Sequence, residues 1–188
     1  MKKNVIVGQS GGPTAVINGS LYGVVSESLK QSEKVGTIYG MVNGIEGFLH
    51  DHFMDIGALD ATNELELVRT TPGAYLGSCR YKLPEDLNDP VYPELFKKFE
   101  EKNIGYFFYI GGNDSMDTVS KLSRYAAGAG SDIRFIGVPK TIDNDLVETD
   151  HTPGYGSAAK YVATVVREIA TDATVYDNKQ SVTIVEIM

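Results

Sequence analysis

Short apolar runs alternate with stretches of helical period along most of this 188-residue chain, and that alternation restricts the fold more than any other feature. Val5–Val7 reads as a strand, followed by a Gly-rich turn and an amphipathic stretch from Thr14 to Lys30. Val35–Gly40 and Phe53–Ile56 read as further short strands. Pro93–Lys102 carries Leu95, Phe96 and Phe99 at helical spacing, and the aromatic-rich Ile104–Ile110 reads as a central strand. Met116, Val119, Leu122 and Ala126 then recur at helix period before the strand Phe135–Val138. Tyr161, Val165 and Ile169, with Val162 and Val166 beside them, form the apolar face of a further long helix. Ser181–Met188 is strand-like again. Such alternation predicts an α/β fold, a Rossmann-like parallel sheet with helices on both faces. The stretch Gly57–Asp89 is irregular and rich in Gly and Pro, which reads as a functional surface loop region.

In sheets of this kind ligands bind beyond the C-terminal ends of the strands, and three of those ends carry polar chemistry. Val7 leads into GQSGGPTAVIN, where Gly11 and Gly12 permit positive φ and close backbone approach. The helix that follows would offer unpaired N–H groups to an anion. Ile110 leads into GGNDSMDT: Gly111 and Gly112 again open the backbone, while Asn113, Asp114 and Ser115 suit either a metal or the helix cap. Phe135–Val138 ends at Pro139, which cannot donate to a sheet ladder. Lys140, Thr141, Asp143 and Asp145 follow it, a cation and two carboxylates suited to a metal-bound phosphate and a hydroxyl that must lose its proton. Each cluster alone is compatible with an ordinary turn. Three of them at parallel strand ends should face one crevice. Arg80, after Gly77 and Ser78, has the planar fork that clamps phosphate.

The bulk properties narrow the partners. Net charge is −8 with no basic tract, which argues against nucleic acid or an anionic membrane surface. An anionic substrate must therefore be held by local cations, backbone N–H groups or a metal. The single cysteine, Cys79, precludes an internal disulfide and suits a reducing compartment. Met1-Lys2-Lys3 precedes an apolar run too short for a signal peptide, and no stretch approaches the ~18 apolar residues of a membrane span. A cytoplasmic location is expected. His50, His52 and His151 form no metal-ligand pattern.

Together, SGGPTAVIN, GSCR, IGGNDSMDT, PKTIDNDL, TPGYGSAAKY and the closing VTIVEIM resemble the phosphofructokinase family, in the family's order and over nearly the whole chain. The resemblance implies phosphoryl transfer to the 1-hydroxyl of fructose 6-phosphate, with Mg2+. It implies that Gly11, Arg80 and Gly112 lie at the phosphoryl donor, and that Thr141, Ile142 and Asp143 meet the sugar, with Asp143 as base. Asn113 and Asp145 would serve the metal, although an amide is a weaker ligand than the Asp found in many ATP-using members. Met188 stands inside the family's sugar-binding Met-Gly-Arg motif.

Two departures bear on the donor: ATP users carry GGDGS and PGTID where this chain has GGNDS and PKTID. Asp114 and Lys140 at those glycines resemble the pyrophosphate-dependent branch, in which the Asp fills the region of the α-phosphate of ATP. Two like charges ~4 Å apart at an effective dielectric of ~20 repel by about 4 kcal/mol, roughly a thousandfold in affinity. Lys140 would stabilise charge on the transferring and leaving phosphate. The resemblance also implies a near-reversible reaction, a homo-oligomer at full length, and a second domain that completes the sugar-phosphate site. Residues 1–188 would then be the N-terminal donor and catalytic-base domain of a longer protein, inactive alone. An ATP-dependent kinase and a non-catalytic regulatory protein on the same fold are the competing readings.

Overall fold

The computed structural model describes residues 1–175 and 182–187. The chain runs β1 (Lys3–Gln9), α1 (Ile17–Lys30), β2 (Val35–Met41), α2 (Gly44–Leu49), β3 (Phe53–Asp55), a 3-10 turn (Gly57–Thr62), α3 (Glu64–Val68), α4 (Val91–Glu101), β4 (Ile104–Gly111), α5 (Asn113–Ala129), β5 (Arg134–Pro139) and α6 (Tyr155–Ala173). The strands form one sheet in the order β3-β2-β1-β4-β5. β1 pairs in parallel with β2 and β4, and β4 with β5. β3 departs from the expected parallel arrangement, because it pairs with β2 antiparallel. The link from Met41 to Phe53 holds only the six-residue α2, too short for the crossover that parallel pairing needs.

Side-chain alternation divides β1 between two cores. Ile6 points to one face, with Phe107 and Tyr109 of β4, and meets Phe48 of α2, Leu95 and Phe99 of α4 and Leu122 of α5. Aromatic rings dominate this side: Phe48 stacks on Phe99 at 5.3 Å between centroids, and Phe99 meets Phe107 edge-on at 5.6 Å. Val5 and Val7 point to the other face, with Ile110, and pack on Ile17, Leu21 and Val25 of α1 and Leu65 and Val68 of α3. Both faces of the sheet are thus helix-covered, as the α/β reading requires.

The chain leaves β1 towards β2 on one side and returns to β4 on the other, so the sheet switches direction between β1 and β4. Their C-terminal ends open at that switch, and β5 ends beside them. Pro139 closes β5 as its missing N–H demands.

Two C-terminal expectations are corrected. The α6 helix forms, but no residue on it is buried: Tyr161 is 69% exposed and Val166 40%. Its apolar stripe has the right period, yet none of the described elements covers it. Of the strand expected at Ser181–Met188, residues 182–187 carry no strand pairing, and Ile184 and Val185 are exposed. A strand needs a neighbouring backbone, and these residues have none among the described ones. Residues 181 and 188 lie outside the described residues. Among the latter, no helix is long and apolar enough to cross a membrane.

Candidate active site

A cleft of about 520 Å³ opens at the three strand ends. The turn after β1 supplies Ser10 to Thr14, the start of α5 supplies Gly112 to Ser115, and the segment after β5 supplies Lys140 to Asp143; Cys79, Arg80 and Tyr81 form a further wall. Gly11, Arg80, Gly112, Asn113, Asp114, Lys140, Thr141, Ile142 and Asp143 all line it. Asp145 is exposed and outside the lining, and Met188 lies outside the described residues.

Backbone hydrogen bonds tie the cleft floor to the sheet. Ser10 N–H donates to the Ile110 carbonyl at 3.0 Å, and Lys140 N–H to the Gly111 carbonyl at 2.9 Å. Gly111 is dictated by contact, since a Cβ there would stand 1.9 Å from Ser115 Oγ. Gly11 adopts φ +77, a left-handed conformation that costs glycine little. A Cβ at Gly11 would lie 3.4 Å from Lys140 Nζ, which places the ammonium against this turn.

Lys140 is only 5% exposed and donates its ammonium to the Gly12 carbonyl. Burial pulls its pKa below the ordinary lysine value, Arg80 adds to the effect and Asp143 opposes it. The pull of Asp143 favours the cationic form, so the carboxylate and the ammonium are electrostatically coupled. Asp143 itself is exposed at the cleft mouth, its backbone N–H bonded to Thr141 Oγ1 at 3.0 Å. That bond uses the threonine hydroxyl as acceptor and leaves its proton for a ligand.

The helix N-terminus at this cleft is not the one expected from the first glycine pair. The chain turns through Thr14, whose carbonyl accepts from Ile17 N–H at 3.1 Å, and α1 begins only at Ile17, beyond the cleft lining. The start of α5 lines it instead. Asp114 and Ser115 do not cap that helix: Gly112 holds the cap position with no side-chain hydrogen bond. Ser115 N–H turns back to the Gly112 carbonyl at 3.0 Å, so among the first-turn donors it is Asn113 and Asp114 N–H that an anion could meet.

Several contacts that shape the cleft join residues far apart in the sequence. Lys82 Nζ stands 3.1 Å from Asp114 Oδ1, both side chains well exposed. The charge on Asp114 is thus partly neutralised and lies in a water-like dielectric, where repulsion at ~4 Å is about 1 kcal/mol rather than 4. Ser78 Oγ donates to the Gly11 carbonyl at 2.5 Å, and Gly11 N–H to the Cys79 carbonyl at 3.1 Å, which fastens the Arg80 segment to the β1 turn. The buried Gln9 reinforces this, accepting from Leu76 N–H at 2.9 Å and donating to Asn18 at 2.9 Å. Asn144, at φ +53, accepts from Thr152 N–H at 2.9 Å, and Thr152 Oγ1 donates to the Thr141 carbonyl at 2.9 Å. The only sequence hint of Lys82 was its place two residues after Arg80 in the same polar turn.

Among the described residues no group of three His, Cys, Asp or Glu forms a metal cage. Magnesium does not require one, since it is commonly carried by substrate phosphates plus one or two protein oxygens and water. Of the two residues expected to serve a metal, Asn113 lines the cleft and Asp145 lies outside its lining.

A Rossmann-like sheet places glycine turns, an arginine, a buried lysine and an aspartate at its switch point, and residues 4–188 match the family described as Phosphofructokinase. The chain belongs to the phosphofructokinase family. It is 51% identical over 162 residues to a pyrophosphate–fructose 6-phosphate 1-phosphotransferase of Rhodospirillum rubrum, covering 86% of this chain and 39% of that protein. It is 43% identical to the protein of the same name from Methylococcus capsulatus, covering 90% of this chain and 40% of the relative. The solved pyrophosphate-dependent phosphofructokinase of Nitrosospira multiformis superposes with a TM-score of 0.83 at 47% identity, covering 90% of this chain and 42% of that one. The chain thus spans about two fifths of the length of these relatives.

Proposed function

We propose that this chain is the donor and catalytic-base portion of an enzyme that moves a phosphoryl group from pyrophosphate to the 1-hydroxyl of fructose 6-phosphate. The observation that carries the reading is the convergence of Gly11, Arg80, Asp114 and Lys140 with Asp143 on one cleft. In this reading the donor lies against the Gly11 turn and the start of α5, with Arg80 and Lys140 around its phosphates. The sugar enters from the side of Thr141, Ile142 and Asp143. O1 forms the new bond to phosphorus while the bond to the leaving phosphate breaks. The O1 proton passes to the Asp143 carboxylate as the loose transition state develops, so a carboxylate suffices as base. Lys140 and Arg80 offset charge on the departing phosphate. Magnesium held by Asn113 and Asp145 would neutralise donor charge. The remaining sugar-phosphate contacts, including any from Met188, belong to the longer protein, which we take to be a cytoplasmic homo-oligomer.

Calorimetric titration of pyrophosphate and of ATP, each with magnesium, tests the donor. Pyrophosphate is expected to bind and ATP to bind much more weakly; tighter ATP binding would overturn the donor and favour the ATP-dependent kinase. Asp114→Gly should raise ATP affinity about tenfold, by opening space, removing one charge and freeing Lys82. Adding Lys82→Met should take back part of that gain. An Asp114→Gly protein that binds ATP no better than the parent would remove Asp114 as the excluding group.

A further inference from the structure

Lys121 is the most deeply buried cation of the described chain, 3% exposed, and it lies outside the cleft lining. Its ammonium has three partners: the Leu83 carbonyl at 3.1 Å, Glu85 Oε1 at 2.5 Å and Asp117 Oδ2 at 2.7 Å. Three acceptors satisfy all three ammonium protons. Asp117 and Lys121 sit one turn apart on α5, so their pairing is internal to that helix. Leu83 and Glu85 belong to the segment that carries Arg80 and Lys82. Asp117 first, then Glu85, hold the lysine above its ordinary pKa, so it remains a cation.

That segment is clamped at both ends. At its start Ser78 and Cys79 bond to Gly11, and at its far end Lys121 grips Leu83 and Glu85, while Tyr92 OH donates to the intervening Pro84 carbonyl at 2.6 Å. Between the clamps, the exposed Arg80 faces the cleft and Lys82 pairs with Asp114 on the first turn of α5. Without the ammonium, Glu85 and Asp117 become two uncompensated carboxylates close together and the Leu83 carbonyl loses a partner. Both carboxylates are well exposed, at 87% and 55%, so their repulsion is screened; what the segment loses is its tie to α5.

We infer that Lys121 is a positioning residue for the phosphoryl-donor site, setting the placement of Arg80 and Lys82 by fastening residues 80–85 to α5. The inference rests on the reading of the cleft as a donor site. Lys121 touches no reacting atom in that reading, so its loss should weaken donor binding while leaving the chemical step largely intact.

The test compares Lys121→Met with the unaltered complete protein in steady-state kinetics, varying pyrophosphate and fructose 6-phosphate separately. The pyrophosphate KM is expected to rise about tenfold, with kcat within about threefold and the sugar KM unchanged. Amide exchange across residues 80–86 should accelerate in parallel. General loosening of the fold would instead raise both KM values. Equal rises in the two, or a pyrophosphate KM within about twofold of the parent, would overturn the assignment. If Lys121→Met does not fold, Glu85→Gln removes one grip at an exposed carboxyl; it should raise the pyrophosphate KM about threefold, and no rise there overturns the inference. Failure of the unaltered protein to use pyrophosphate would appear before any substitution is compared. It would overturn the functional reading and, with it, the donor role given to Lys121.

Discussion

Replacing Asp143 by asparagine in the complete protein is expected to lower kcat about a thousandfold while pyrophosphate still binds. Asparagine keeps the size and the backbone bond to Thr141 Oγ1, and removes the carboxylate proposed to take the O1 proton together with its pull on the Lys140 ammonium. General-base catalysis contributes roughly 10²- to 10⁴-fold, which brackets the loss. Asp143 is exposed in the free protein, so the substitution leaves no buried polar group unpaired and should barely move the melting temperature. The measurement is kcat beside calorimetric pyrophosphate affinity on the same preparation. Turnover equal to the parent's would exclude Asp143 as the base and direct attention to another carboxylate of the cleft. Loss of donor binding together with turnover would mean that Asp143 serves the donor instead.

A second large effect is expected at Lys140. Lys140→Met should reduce kcat/KM for pyrophosphate by roughly 10² to 10³, the range for deleting one preorganised charge donor at a transition state. The ammonium also donates to the Gly12 carbonyl, so part of the loss would come from a relaxed β1 turn. The pH dependence separates the two contributions. Burial lowers the Lys140 pKa below the ordinary lysine value, so in the free protein the cation is lost at a lower pH than an exposed lysine would lose it. The kcat/KM profile reports free-enzyme groups and should fall on the alkaline side as pH rises through that depressed pKa. Lys140→Arg stays charged across the range and should abolish the fall, even if its absolute rate is low. The stability linkage runs in the same pH window. A lysine whose folded pKa is lowered binds more protons when unfolded, so its burial costs stability below the folded pKa and the cost fades as pH rises through the window. An alkaline limb that persists unchanged in Lys140→Arg would assign it to another group.

The sequence made the sheet legible where periodicity is strong. β4, α5 and β5 lie within a residue or three of the stretches read from apolar spacing, and the end of β5 followed from Pro139. Its limits have physical causes. The short α2 was missed, since six residues barely register at helical period and its start depends on Asn43 at φ +60. The antiparallel turn of β3 depends on the length of a connection rather than on any apolar pattern. For α6 the apolar stripe was readable, but periodicity says only that a face can be buried, not that a partner is present. The cleft was found because its residues cluster at strand ends, a local signal. The Lys82–Asp114 pair and the grip of Lys121 on Leu83 and Glu85 join residues more than thirty positions apart, and no local pattern records them.

The two walls of the cleft are built differently. On the proposed reading the donor side combines hydrogen-bonded strand ends with the Arg80–Lys82 segment, so a change of donor would be written into side chains whose neighbours are fixed, with Asp114 and Lys82, paired at 3.1 Å, changing together. The proposed acceptor side is a loop held by Asn144 and Thr152 across eight residues. New side chains there alter which hydroxyl compound fits without disturbing the sheet. Divergence within such a family should therefore run quickly in acceptor choice and slowly, in coupled steps, in donor choice.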